Sequence, residues 1–181
     1  MNSGKVAIRY AKGLLKFGNE KGIAKPLYLD TLKVINTVRE SQSLNTVMGN
    51  PSIDLDRKID VLNKAFSSIE PQLLEYLSMI VRRRRVEYLL NSLLLFRDLY
   101  RRENNILEVQ IETATSLSDK ELKEVEDFIR QKYSKSIELT IVHKPELIAG
   151  YIIIVEGKIL DYSVSGQLAQ YKKSLGLSFS N

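Results

Sequence analysis

The chain has 181 residues, a net charge of +5 at pH 7, 44% apolar residues and no cysteine. That length holds one mid-sized domain or two small ones with ordered cores, and the lack of cysteine excludes disulfides, thiol catalysis and thiolate metal sites. No apolar run nears the roughly 20 residues needed to span a bilayer, and basic residues interrupt the apolar N-terminus where a secretory signal would need an unbroken core.

The charge is uneven. Residues 1–104 carry 18 Lys and Arg against 11 Asp and Glu, whereas residues 105–181 carry 9 against 11. Such asymmetry fits two modules with different partners, in a soluble protein that docks onto something larger.

In chain order, residues 4–22 have helical periodicity and stop near Gly22. Residues 26–43 read as a helix with Pro26 in its first turn and apolar residues at Leu29, Leu32, Ile35 and Val38. The stretch "MGNPS" at 48–52 is a break, because a residue before proline is disfavoured in a helix. A short helix follows with Leu55, Ile59, Leu62 and Phe66 on one stripe, and Asp54 is placed to cap it. Pro71 opens a helix that runs into Arg82-Arg83-Arg84-Arg85, and residues 86–103 form a leucine-rich helix ending near Asn104-Asn105.

Beyond residue 105 the period falls from about 3.6 to 2. Leu107, Val109, Ile111 and Thr113 alternate with Glu108, Gln110 and Glu112, which predicts a half-buried strand. The next helix has Ser118 and Glu121 as a capping box and Leu122, Val125, Ile129 and Tyr133 as its apolar face. A second strand covers 137–143, a hairpin turns at Glu156-Gly157, and a last helix covers about 163–176. The sequence thus predicts an α+β, mainly α protein: an all-α domain over 1–105, then a small α+β domain with a β-hairpin over 106–181.

Catalytic chemistry finds no foothold. The single histidine, His143, shares a strand face with Ile137, Leu139 and Ile141, where a core or edge role outweighs a ligand or base. Glycines are scattered without a nucleotide fingerprint. Carboxylate pairs such as Asp54/Asp56 and Glu124/Glu126 are spaced i,i+2, which on a helix points them apart. No catalytic residue, cofactor or metal site is predicted.

The four arginines invite a nucleic-acid or acidic-lipid reading. On a helix, however, successive residues rotate by about 100°, so four in a row cannot form one cationic stripe. They also stand at a helix C-terminus, where cations suit the negative end of the dipole, and aromatic stacking partners are not interleaved with them. A helix end and turn is the leading reading, and a basic helical nucleic-acid binder is the alternative.

A quieter feature lies on two helices. On the first, Tyr10, Gly13, Leu14 and Phe17 fall on one flank and Ala7, Ile8, Ala11, Leu15 and Gly18 on another, an apolar arc of roughly 220°. The helix from Pro71 repeats this width, with Leu73, Leu74, Leu77, Ile80 and Val81 extended by Tyr76 and Met79. An arc about twice the width needed for one core leaves two readings. Either both helices are central and wrapped by neighbours, or each offers one flank to a partner. In the second case a groove of Tyr10, Gly13, Phe17, Tyr76 and Met79 would take an amphipathic helix, with Gly13 permitting close approach.

These residues carry a family resemblance. "RYAKGLLKFG", the Asn-Pro near residue 50 followed by "RKIDVLNKAF", and "RRRVEYLLNSLLLFRDLYR" resemble the N-terminal domain of the F-type ATP synthase delta subunit family, which includes the mitochondrial oligomycin-sensitivity-conferring protein. "VQIETATSLSDKEL" resembles the entry to its second domain, and "KPELIAGYIIIVEGKILDYSVSGQLAQYKKSL" resembles its C-terminal signature. On this sequence the signature falls on Pro145, Leu147, Ile148, Gly150, Gly157, Asp161 and Ser163. Lys144 and Ala149 depart from it, where the family often has aspartate and glycine.

The resemblance implies a non-catalytic stator part whose N-terminal six-helix bundle grips the N-terminal helix of an alpha subunit between its first and fifth helices. Carried over, those positions are Tyr10, Gly13, Leu14 and Phe17 with Tyr76, Met79 and Ile80, and Arg82 adjoins them. The C-terminal domain would meet the ends of the b-subunit stalk. The resemblance further implies no nucleic-acid partner and peripheral attachment, through the complex, to the cytoplasmic side of the cell inner membrane. Because it begins near residue 5, no organelle transit segment is expected, as for a bacterial or plastid-encoded protein.

Overall fold

The computed structural model describes residues 3–115, 117–133, 135–147 and 149–174. The chain divides into two units, Met1–Asn104 and Asn105–Asn181.

The first unit contains α1 (Ser3–Lys21), α2 (Ala24–Glu40), α3 (Gln42–Gly49), α4 (Leu55–Ala65), α5 (Pro71–Arg82), a single 3-10 turn (Val86–Tyr88) and α6 (Leu89–Glu103). α1 ends where Gly22 takes a φ of 69°, a left-handed turn that costs glycine little. The helix expected over 26–43 stops three residues early and a further helix follows it. The reason is Ser41, whose Oγ accepts the Leu44 N–H at 3.2 Å. A serine gains more as a cap than inside a helix. The new helix, α3, buries Leu44 and Met48, one turn apart. Asp54 stands at the cap position of α4 as expected, but its side chain makes no capping bond.

α6 runs alongside α1 and α2, with Leu93 and Phe96 fully buried. Tyr100 of α6 stacks on Tyr28 of α2 with ring centroids 4.3 Å apart, and Arg101 Nε donates to the Tyr28 hydroxyl at 2.8 Å. Lys58 of α4, only 6% exposed, donates to the Met48 carbonyl at 2.9 Å. That bond satisfies one of the carbonyls that a helix C-terminus leaves open.

The arginine run is a helix stop. Arg84 adopts a φ of 55°; its N–H reaches the Val81 carbonyl at 2.8 Å, and the Arg85 N–H reaches that of Ile80 at 3.1 Å. Those two bonds make a Schellman motif that ties off α5, with Arg84 where glycine is the usual choice.

The second unit is a four-stranded sheet, ordered β2-β1-β3-β4, from β1 (Ile106–Thr113), β2 (Ser136–His143), β3 (Tyr151–Val155) and β4 (Lys158–Asp161), with α7 (Asp119–Tyr133) and α8 (Val164–Ser174). β1 and β2 are parallel, so α7 serves as their crossover, while β3 pairs antiparallel with β1 and β4. Leu107, Val109, Ile111, Ile153 and Val155 pack with Val125 and Ile129 of α7 to form the core. The capping box is present: Glu121 Oε2 accepts the Ser118 N–H at 2.8 Å and Ser118 Oγ accepts the Glu121 N–H at 3.3 Å. The hairpin turns at Glu156 and Gly157, with φ of 48° and 75°.

One expectation needs correction. Glu112, expected on the wet face of β1, is 6% exposed because Lys144 reaches it at 2.6 Å and Gln110 donates to it at 2.8 Å. His143, expected in a core or edge role, takes the edge one: it is exposed at the end of edge strand β2, where Ile141 on the same face is exposed as well. Of the final helix, residues 175 and 176 lie outside the described residues.

Candidate functional site: a groove between two helices

The two broad apolar arcs divide their faces in the same way. On α1, Ala7, Ala11, Leu14 and Leu15 are buried, whereas Tyr10 and Phe17 are half-buried and Gly13 is exposed. On α5, Leu73, Leu77, Ile80 and Val81 are buried, and Met79 is half-buried. The uncovered flanks line one groove of about 560 Å³, with Tyr10, Gly13 and Phe17 from α1 and Met79 from α5 on its sides and the buried Leu14 and Tyr76 at its floor.

Ile80 is the exception among the expected groove residues. It is fully buried and does not line the groove. Seven residues after Leu73, it shares that residue's side of the helix to within about 20°, and Leu73 faces the core.

Aromatic contacts stiffen the groove. The Tyr10 and Tyr76 rings meet edge to face, with centroids 6.4 Å apart and planes at 78°, the arrangement that ring quadrupoles favour. Tyr76 is 9% exposed, and burial pushes its phenol up to about 12, with Tyr10 adding to the shift. Ser92 gives its proton to the Leu89 carbonyl at 2.8 Å, and the Tyr76 hydroxyl itself has no hydrogen-bond partner among the described residues.

Charge gathers on the lining. Arg9, Arg83 and Arg85 contribute to it against a single acid, Glu75. Arg85 Nη1 donates to the Tyr10 hydroxyl at 3.1 Å, and its guanidinium carbon lies 5.9 Å from the Tyr10 ring centroid. Arg82 does not line the groove itself but an adjoining cleft with Ile59 and Asn63, which shares Glu75, Met79 and Arg83 with the groove. Arg85 was hidden from sequence reasoning because helical rotation stops at Arg82. The left-handed Arg84 then redirects the chain, and only the turn geometry shows where Arg85 points.

In the second unit the C-terminal signature forms a structural joint. Gly150 has a φ of 87°, and a β-carbon there would lie 2.8 Å from Ser163 Cα and collide with the Tyr162 carbonyl. The Ala149 carbonyl accepts the Val164 N–H at 3.0 Å. Asp161 Oδ1 accepts from Ser163 through N at 2.8 Å and Oγ at 2.6 Å, and these bonds hold its carboxyl below its ordinary range. Ser163 Oγ accepts the Gly166 N–H at 3.0 Å to cap α8. Pro145 lies in the turn after β2, where the Leu147 N–H reaches the Lys144 carbonyl at 3.1 Å; Gly157 sits in the hairpin turn, and Ile148 lies outside the described residues.

The family model described as ATP synthase delta (OSCP) subunit matches residues 6–175. The chain belongs to this family. It is similar to the ATP synthase subunit delta of Carboxydothermus hydrogenoformans, 30% identical over 179 residues, covering 97% of this chain and 99% of that one. It is likewise similar to the chloroplastic ATP synthase subunit delta of Emiliania huxleyi, 30% identical over 174 residues, with 95% and 97% covered. A chain of the Toxoplasma gondii mitochondrial ATP synthase hexamer shares the fold at a TM-score of 0.71 and 20% identity, with 99% of each chain covered.

Delta/OSCP membership makes the protein a non-catalytic stator subunit of the F-type ATP synthase. Among the described residues, no group of three or more His, Cys, Asp or Glu could hold a metal ion. No helix among them is long and apolar enough to cross a membrane.

Proposed function

We propose that this stator subunit holds the catalytic head through the α1/α5 groove, which receives the N-terminal helix of an alpha subunit. In this reading the unit over 106–181 meets the ends of the b-subunit stalk. The two attachments keep the head from turning with the rotor while proton-driven rotation makes ATP. The task is mechanical: tight attachment at more than one point, with no bond chemistry. The protein lies on the cytoplasmic side of the cell inner membrane, attached through the complex.

The observation that supports this reading best is the pair of uncovered apolar flanks facing one groove, on a chain of this family. An amphipathic helix laid there would seat its apolar face on Tyr10, Phe17 and Met79. Titration of the full chain with a synthetic peptide of the alpha-subunit N-terminus tests it. Tyr10→Ala and Met79→Ala should each weaken binding by about 1–3 kcal/mol, as truncated interface anchors do. Unchanged affinity in both variants counts against the groove. Recovery of the b subunit with the chain from detergent-solubilised membranes tests the second attachment.

A further inference from the structure

The groove is apolar along its floor but electrically lopsided. Its lining holds three arginines and one glutamate, and among the described residues Arg9, Arg83 and Arg85 make no ion pair. Elsewhere in the same unit, acids are close at hand for cations, as in Lys64 with Asp60 at 3.0 Å and Arg97 with Asp98 at 2.8 Å.

The cations also lie toward one end. Arg85 touches Tyr10, and Arg83 and Arg85 close the C-terminal end of α5. Gln72 lines the groove from the opposite end of α5, and Phe17 lies seven residues beyond Tyr10, about 10 Å along α1 at 1.5 Å per residue. The groove therefore has a cationic end near Tyr10 and, about two helical turns away, a part without a cation. A uniformly apolar occupant would leave Arg83 and Arg85 in a partly desolvated place without a counter-charge, which is unfavourable.

We propose that Arg83 and Arg85, aided by Arg9, bind a side-chain carboxylate of the helix that occupies the groove and so fix that helix's direction. This deepens the groove reading above and rests on it. Arg85 is prepared for the task by its bond to the Tyr10 hydroxyl and its place beside the ring, which restrict the guanidinium before a partner arrives. Such restriction lowers the ordering cost of binding, and a guanidinium can meet a carboxylate with two parallel hydrogen bonds. Cations also suit the negative end of α5 itself, so the test must separate a role in binding from a role in the helix.

The experiment titrates the full chain with the alpha-subunit N-terminal peptide at about 30 mM and about 300 mM salt, a range over which exposed charge pairs become screened. Arg83→Gln/Arg85→Gln should weaken binding about tenfold at low salt, and its affinity should change less with salt than that of the wild type. Arg57→Gln, in a different cleft, serves as the control and should bind as the wild type does. Each Asp or Glu of the peptide is then replaced by its amide. One such peptide should lose about the same factor against the wild type and lose little more against the double variant, the coupling expected of direct partners.

Additive losses, with no carboxylate coupled to the arginines, overturn the proposal and point to loosening of α5. Unchanged affinity and salt dependence in the double variant, with binding still lost in Met79→Ala, also overturns it and leaves the groove reading intact. If Met79→Ala and Tyr10→Ala bind normally as well, the groove reading fails and this inference with it.

Discussion

The carboxylate of Asp30, in α2, accepts the backbone N–H of Glu70 at 2.8 Å across forty residues of sequence. Glu70 is the N-cap residue of α5 and makes no side-chain capping bond of its own. The other oxygen of Asp30 receives Lys33 Nζ at 2.7 Å, and the residue is 8% exposed. One helix thus caps another, and the capped helix is a wall of the groove. Asp30→Ala should cost about 1–3 kcal/mol in urea unfolding, the range for a lost cap that leaves a part-buried donor open. Asp30→Asn keeps an acceptor and should cost less. Equal midpoints for Asp30→Ala and the wild type would falsify this account of how α5 begins.

Gly13 separates stability from binding. A β-carbon there meets nothing within 4 Å, because the position faces the open groove from mid-helix. Gly13→Ala should therefore stabilise the bundle by about 0.5–1 kcal/mol, the gain from replacing a helical glycine. The added methyl group would stand where an occupant helix approaches, so affinity for the alpha-subunit peptide should fall. A melting curve and a titration on the same sample check both signs. Higher stability with unchanged affinity would mean that the occupant keeps clear of Gly13.

Helical periodicity shows which residues share a side of one helix, and that is what made the groove legible. Tyr10, Gly13 and Phe17 stand apart from Ala7 and Ala11 at 3.6 residues per turn, and Tyr76 and Met79 extend the arc of α5 in the same way. Features set by distant chain were illegible. Nothing near Glu112 in sequence forecasts burial, because the ammonium that neutralises it belongs to Lys144, after the next strand. That pairing also gives a role to the lysine that departs from the family pattern. Ile80 and Met79 are neighbours in sequence, and rotation by 100° separates a core residue from a groove residue. Ser41 could have been recognised, since a serine followed by Leu44 and Met48 is a cap before an apolar i,i+4 pair.

The buried hydroxyl of Tyr76 makes stability depend on pH at the alkaline end. Its folded value is raised from 10.0 to about 12. For a group with a raised folded value, the contribution is fully present below the unfolded value and is lost as pH rises through the folded one. The window is therefore from about pH 10 to about 12, and the contribution lost is about 3 kcal/mol at 1.36 kcal/mol per unit. The comparison is with Tyr76→Phe, whose stability should fall less steeply over that window. Near pH 7 the substitution should be neutral or stabilising by up to about 1 kcal/mol, because it removes a buried hydroxyl without a partner. Parallel pH profiles for the two proteins would mean that the phenol is hydrated.

Gly150 and Gly157 both have positive φ, yet they should respond differently to substitution. At Gly157, with a φ of 75°, a β-carbon meets nothing within 4 Å, so only the backbone conformation resists a side chain. Gly157→Asn should cost under about 1 kcal/mol, since asparagine visits this region readily. At Gly150 the same conformational cost is joined by collision with the Tyr162 carbonyl and Ser163 Cα. Neither is a flexible side chain that could turn away. Relief would require moving the start of α8, where the Asp161–Ser163 bonds fix the chain. Gly150→Ala should therefore cost about 2–5 kcal/mol. Hydrogen exchange read by mass spectrometry should show faster exchange within 106–174 and unchanged protection in the bundle over 3–104. Faster exchange in both units would show that the joint stabilises more than the unit containing it.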